Sequence, residues 1–275
     1  MIGTRKMWNV GLRYLLMSAV AALFLFPFYW ALVLAVARKS QVFTLPPHFL
    51  PSFDWRPLMR AFAAQPWGLY FLHSAIITVV TVALVIVTGM LGGFALALVE
   101  FPGREIVFAI LLAALMVPFE AILIPDYVIT YNLHLTNSLS GQILPYSANV
   151  FAIFLFRQFL KSLPQSLWDA CKLDGGTWWH FLWHICFPLA RPAVATVTLL
   201  TFTSQWSAFQ WPIIITQGQS ARPIEVGLSY FQGFDGTHWR EVSGAALMTL
   251  VPIIIVFMIT QKYLIASVSG RSAEY

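Results

Sequence analysis

Residues 161–192 read KSLPQSLWDACKLDGGTWWHFLWHICFPLARP, the stretch of the chain with the most specific local chemistry. Its spacing predicts a helix, a glycine turn and a second short helix. Ser162 with Gln165 fits a capping box, and Pro164 suits a first turn. Leu163, Leu167, Ala170 and Cys171 recur at helical spacing as one apolar face. Gly175-Gly176 ends that helix, because a left-handed C-terminal position costs little only for glycine. Thr177 stands where it caps the second helix, whose Trp178, Phe181 and Ile185 point to lipid or core, and Pro188 and Pro192 stop it. Two readings fit such a knob. Its four tryptophans suit an interfacial helix on the headgroups. Its small residues Ala170, Cys171, Gly175 and Gly176 suit the close approach of a soluble partner.

Outside this stretch the composition decides the solvent. Of 275 residues, 59% are apolar and 16% aromatic, while only 10% are charged. Soluble domains carry about 25% charged residues, so this chain cannot cover a globule in water. The mean hydropathy of +0.75 agrees. Charge-free intervals long enough to cross about 30 Å of hydrocarbon predict six spans near 14–37, 73–99, 106–129, 141–160, 192–216 and 242–261 within one domain, 1–275. Connectors collect the proline, glycine and charge: Arg38 to Leu72, the tight turn Phe101-Pro102-Gly103-Arg104, Lys161 to Arg191, and Gln217 to Glu241.

With the N-terminus inside, Arg5, Lys6, Arg13, Arg104, Arg157, Lys161, Lys172, Arg191, Lys262 and Arg271 fall on one side. Arg38, Lys39, Arg56, Arg60, Arg222 and Arg240 fall on the other, which places both termini and residues 161–191 in the cytoplasm. Tyr14 to Ala37 is longer than a signal-peptide core and reads as an uncleaved span. Cys171 and Cys186 on the inner side read as reduced thiols. The net charge of +5 is scattered, without the basic stripe that a nucleic acid needs.

Asp169-Ala170-Cys171, then Asp174-Gly175-Gly176, Ile185 and Phe187-Pro188, resembles the cytoplasmic EAA loop of permease subunits of bacterial ABC importers. That family's pattern is EAAxxDGA with an I-x-LP ending. Here Asp169 replaces its Glu, Cys171 its second Ala, Gly176 its third Ala and Phe187 its Leu. The resemblance extends over nearly the whole chain. Pro27-Phe28-Tyr29-Trp30, Val117-Pro118-Phe119-Glu120, Ile143-Leu144-Pro145-Tyr146, Gln205-Trp206 and Trp211-Pro212 are similar to the carbohydrate-uptake branch, in particular its shorter permease. It implies an all-α integral membrane fold of six transmembrane helices with a cytoplasmic coupling helix, the type I importer permease fold, in the bacterial inner membrane. It also implies a second homologous permease, two ATP-binding subunits that hold ATP and Mg, and an extracytoplasmic solute-binding protein, with no cofactor in this chain. Asp169, Ala170, Cys171, Asp174, Gly175, Gly176 and Pro188 are then expected at the ATPase contact. Asp169 would pair with a partner cation, Gly175 make the turn, and Asp174 cap or pair.

Glu120, Asn149, Gln205, Trp206, Gln210 and Trp211 are the candidates for the solute pathway. An ionisable group inside a membrane faces protein or water, although Glu120 also fits an ordinary solvated position near the outer interface. The amides equally suit helix-to-helix hydrogen bonding, and the tryptophans interface anchoring. By resemblance, the outer segment with Arg222, Gly227, Gly233 and Gly236 touches the binding protein, its glycines allowing an adaptable loop; a solvated turn is the plain alternative. The resemblance implies that energy comes from a partner subunit, and the chain accordingly carries no GxxxxGK[ST] phosphate loop. His180 and His184 stand one turn apart without an HExxH pattern, and no GxSxG elbow occurs. A self-sufficient secondary transporter or channel, the rival class, predicts inverted repeats, and none is visible.

Overall fold

A computed structural model of the chain describes residues 2–233 and 236–268; Arg271, counted above on the inner side, lies outside them. The elements in order are α1 (Ile2–Ala35), α2 (Arg56–Ala64), α3 (Trp67–Leu98), α4 (Arg104–Ala114), α5 (Phe119–Asn132), α6 (Leu139–Ile143), α7 (Val150–Lys161), α8 (Gln165–Leu173), α9 (Trp178–His180), α10 (Phe187–Leu189), α11 (Arg191–Trp206), α12 (Gln210–Ile215), α13 (Ile224–Leu228) and α14 (Trp239–Val268). A two-residue antiparallel ladder, β1 (Gln232–Gly233) with β2 (Gly236–Thr237), interrupts the helices. The fold is otherwise helical, as expected.

Among the described residues, three helices are long and apolar enough to cross a membrane: Gly11–Ala35, Trp67–Leu98 and Trp239–Tyr263. The other three expected spans are not straight helices. α4 and α5 meet at 99°, the pair Leu139–Tyr146 and Val150–Lys161 at 42°, and Trp178–Leu189 with Arg191–Trp206 at 75°, giving six candidate spans when each pair counts once. Prolines mark all three breaks. Pro118 is extended (φ −67°, ψ 145°) and begins α5, Pro145 lies in the 3-10 turn Leu144–Tyr146, and Pro188 and Pro192 flank Ala190. Each lacks an N–H and disfavours helix in the residue before it. The fifth span expected at 192–216 breaks a second time, since α11 stops at Trp206 and α12 begins at Gln210.

The chain divides into two compact units, residues 1–67 with 228–251 and residues 68–227 with 252–275. In the first unit, the stretch read as a loop contains α2, whose first turn carries Pro57. The Trp67 indole donates to the Ala61 carbonyl at 2.7 Å and its ring stacks on Phe231. Asp54 accepts from Arg56 at 2.8 Å, and Arg60 donates to Glu241 at 3.1 Å. The Arg56 hydrogen bond holds the Asp54 carboxyl below its usual range.

In the second unit the core joins Val85, Met90 and Phe94 of α3, Phe156 and Leu160 of α7, Cys171 of α8, Phe181 to Cys186, and Ala193 and Val197 of α11. Glycines set the closest crossing. A Cβ on Gly93 would stand 2.7 Å from Phe156 Cβ and 2.9 Å from the Arg157 nitrogen, and one on Gly89 2.9 Å from Ala152 Cβ. This four-residue spacing of small residues is a common way for membrane helices to approach. Arg157, its side chain 4% exposed, locks three helices. It donates to the Leu96 carbonyl at 3.1 Å and to both Glu105 oxygens at 2.8 and 2.7 Å, and it lies 3.7 Å above the Phe108 ring.

Candidate functional site

The segment at 161–192 folds as a helical hairpin. α8 closes with both bonds of a Schellman turn: Gly175 N–H donates to the Lys172 carbonyl at 3.0 Å and Gly176 N–H to the Cys171 carbonyl at 2.8 Å. Gly175 has φ +77°, as its position after Asp174 requires. Gly176 has a different reason to be glycine, because a Cβ there would strike the Cys171 sulfur. Thr177 caps α9 as expected, accepting from His180 N–H at 3.2 Å.

Two expectations about the hairpin need correction. Ser162 does not cap α8: it is the C-cap of α7, its hydroxyl donating to the Phe159 carbonyl at 2.6 Å. Pro164, already extended, starts α8. Ala170 does not share the apolar face. Leu163, Leu167 and Cys171 pack toward the core, whereas Ala170 is exposed beside Asp169, Asp174 and Leu173, the last 89% exposed. The buried side is stiffened by rings. Trp168 stacks on Trp178 at 3.7 Å, Trp178 meets Phe94 edge-on at 5.7 Å, and Lys172 Nζ lies 5.1 Å from the Trp168 ring. Asp169 pairs with Lys172 at 3.3 Å on the exposed side. Such an exposed pair is worth about 0–1 kcal/mol, leaving Asp169 open to exchange for another cation.

A cavity of about 320 Å³ lies where α11 breaks into α12. Ser204, Gln205, Ser207, Gln210 and Trp211 form one wall, and Ser74, Phe119, Gln142, Tyr146 and Pro223 contribute from α3, α5, α6 and two connectors. A second cavity of about 270 Å³ shares Tyr146, Ser204 and Gln205 and adds Asn149 and Thr201. Hydrogen bonds fix the surround. Trp211 Nε1 donates to the Gly141 carbonyl at 3.1 Å, Gln142 Nε2 to the Ala221 carbonyl at 2.7 Å, and Ile224 N–H to Ser74 Oγ at 2.8 Å.

Gln205, Gln210 and Trp211 thus line the first cavity, and Asn149 and Gln205 the second. Asn149 also caps α7, accepting from Ala152 N–H at 3.1 Å. Trp206 lines neither and stacks on Phe202 at 5.6 Å. Glu120 is exposed, and its neighbour Phe119 reaches the cavity instead. Gly227 serves contact rather than mobility: it is buried, and a Cβ there would strike the Tyr70 ring. Gly233 and Gly236 pair across the small ladder. The His180 and His184 rings stack at 4.3 Å, and among the described residues no three His, Cys, Asp or Glu side chains group around a metal-sized space. Sequence reasoning missed Ser74 and Gln142, which sit on distant helices and carry no motif.

Residues 86–270 match the family described as binding-protein-dependent transport system inner membrane component. The sn-glycerol-3-phosphate transport system permease protein UgpE of Yersinia pestis bv. Antiqua (strain Antiqua) is 31% identical over 274 residues, 96% of this chain and 97% of its own. The arabinooligosaccharides transport system permease protein AraQ of Bacillus subtilis (strain 168) is 31% identical over 200 residues, 73% of this chain and 71% of its own. Among solved structures, a chain of a bacterial ABC transporter involved in import of the acidic polysaccharide alginate superposes with TM-score 0.79 at 23% identity, covering 94% of this chain and 96% of that one. The alginate transporter in complex with its alginate pentasaccharide-bound periplasmic protein gives 0.66 at 13% identity, with 93% of each chain covered. The chain belongs to the binding-protein-dependent transport system inner membrane component family and is a permease subunit of an ATP-driven importer, with no ATPase of its own.

Proposed function

We propose that this subunit forms half of the pathway for a carbohydrate or related polyhydroxylated solute, and that ATP hydrolysis on partner subunits drives it through the 161–192 hairpin. One observation carries the reading. The hairpin and the cavity wall are ends of one packed body: Cys171 and Phe181 share the core with Ala193 and Val197 of α11, and the same helix ends in Ser204 and Gln205 at the cavity. A packed helix transmits displacement as a rigid element, so a push on the hairpin shifts the cavity wall.

In this reading the exposed tip, Asp169, Ala170, Leu173, Asp174 and Gly175, docks on the ATPase subunit. Leu173 supplies the apolar anchor and Asp169 exchanges Lys172 for a partner cation, while Cys171, Gly176 and Pro188 hold the tip in shape. A second permease completes the pathway. A solute-binding protein delivers from the outer side and is met by Arg222, Gly227, Gly233 and Gly236, while both termini and the hairpin face the cytoplasm. The names of the relatives, one for sn-glycerol 3-phosphate and one for arabinooligosaccharides, support a polyhydroxylated solute.

Gly175→Val tests the lever. At φ +77° a side chain costs about 1–2 kcal/mol, more when β-branched. The variant is expected in the membrane with its partners but with ATP-dependent uptake reduced at least tenfold while ATP hydrolysis continues. Normal uptake overturns the lever. Solute uptake by this chain alone, without nucleotide, overturns the whole reading.

A further inference from the structure

In the first unit the end of α1, the connector at 38–66 and the first turn of α14 build a site that solute transport does not use. Gly11–Ala35 and Trp239–Tyr263 are both long and apolar enough to cross a membrane, and one ends and the other begins beside the same small cavity. The 25 residues of the first reach about 37 Å, more than the roughly 30 Å of hydrocarbon, so its ends stand among headgroups. The cavity therefore lies at the membrane surface. It measures about 170 Å³, below the roughly 300 Å³ at which pockets for drug-sized ligands begin, and suits one small group. Lys39, His238 and Arg240 bring it N–H donors, Phe43 and Trp239 bring rings, and Glu241 is its one carboxylate among the described residues.

The charge there is positive. Arg60 already pairs with Glu241 at 3.1 Å. Arg240 reaches the Ala37 carbonyl at 3.4 Å and Asp54 at 3.9 Å, but Asp54 is held closer by Arg56 at 2.8 Å, so the Arg240 guanidinium keeps donors for another anion. Lys39 is exposed and makes no ion pair among the described residues. Arg38, Lys39, Arg56, Arg60 and Arg240 outnumber Asp54, Asp235 and Glu241, even counting Asp235, which lies outside the described residues. Apolar surface continues from the cavity: Phe43 is 80% exposed, Leu45 91% and Leu50 79%. This run stays beside the span. The Tyr29 hydroxyl donates to the Phe49 carbonyl, and the Trp30 and Phe49 rings lie 5.5 Å apart, which brings the connector back alongside α1 five residues before Ala35. Exposed apolar side chains next to cations and an interfacial tryptophan mark contact with lipid. We propose that this is a binding site for an anionic phospholipid, its phosphate held by Lys39, Arg240 and a His238 ring N–H, and its acyl chains against Phe43, Trp239 and the run from Leu45 to Phe53. A zwitterionic lipid carries the same phosphate with an ammonium group that the excess of cations repels, so the anionic lipid is preferred.

The test is photolabelling of the complete importer in phosphatidylcholine nanodiscs that carry a trace of photoactivatable phosphatidylglycerol, with the labelled peptides mapped by mass spectrometry. Labelling within 39–53 and 238–241 is expected, and it should fall when unlabelled phosphatidylglycerol replaces part of the phosphatidylcholine. Lys39→Gln should lower it about fivefold and Lys39→Arg should restore it, since a single cation near a membrane surface contributes about that factor. Because Lys39 is exposed and unpaired, both variants should co-purify with their partners and keep wild-type uptake. Equal labelling by photoactivatable phosphatidylcholine, labelling only elsewhere, or a Lys39→Gln signal equal to wild type overturns the anionic site. Competition by inorganic phosphate as strong as that by the lipid would make it a site for a free anion, and loss of labelling when the binding protein docks would give the surface to that protein. Either result overturns the lipid as occupant.

Discussion

The hairpin and the cavity, both in the 68–227 unit, are built by opposite strategies. The hairpin is one continuous stretch of about thirty residues closed by local devices: the Gly175-Gly176 turn, the Thr177 cap and the Trp168–Trp178 stack. The cavity gathers residues from 74 to 223, spread over several helices and connectors, at the point where α11 gives way to α12. The difference separates their tasks. A lever must hold its own shape while another molecule pushes it, and local bonds provide that. A solute wall must move when helices move, so its residues come from several of them.

Substitutions can break or sharpen this contrast. The largest effect is expected where the lever and the wall share a foundation. Gly93→Leu forces a side chain against Phe156 and the Arg157 backbone and should cost about 3 kcal/mol, the upper end of overpacking. It should lower the melting temperature of the purified complex and its yield together; an unaltered melt means that α3 and α7 are not held at that distance. Next comes the division of labour. Gly175→Val should lower maximal uptake with little change in KM, Gln205→Ala, at a residue lining both cavities, should raise KM, and the double variant should show both changes independently. A rise in KM from Gly175→Val alone would merge the two regions into one.

Smaller is the loss from Trp168→Ala, which removes a ring stack worth about 0.5–1.5 kcal/mol beyond its burial. It should loosen the hairpin, seen as faster hydrogen exchange over residues 165–181, without altering the melt of α3; equal protection in wild type and variant refutes the stiffening role. The smallest concerns the other unit. The Asp54 carboxyl is held low by Arg56, so the ion pair is complete above the unfolded carboxylate range near pH 4 and is lost only as pH falls through the lowered value. Proteolysis of the 38–66 connector should therefore be constant from pH 7 to about 5, and a rise in that window would reveal a different titrating group.

What could be read without coordinates was whatever physics acts over a few residues or over composition. The low charge fixed the lipid solvent, charge-free length marked the six spans, and the glycines, prolines and Thr177 at 161–192 announced the hairpin. Local reading misplaced two details of that hairpin, because Ser162 found the carbonyl of the preceding helix and Ala170 lay just outside the buried arc. Hydropathy could not show that three of the spans bend, since a single proline within an apolar run changes its mean hydropathy only slightly. The glycine crossing at Gly89 and Gly93 and the buried Arg157 clamp were decided by tertiary structure alone. Each depends on which distant helix lies alongside, and although the four-residue spacing of Gly89 and Gly93 permits close approach, nothing along the chain names the partner.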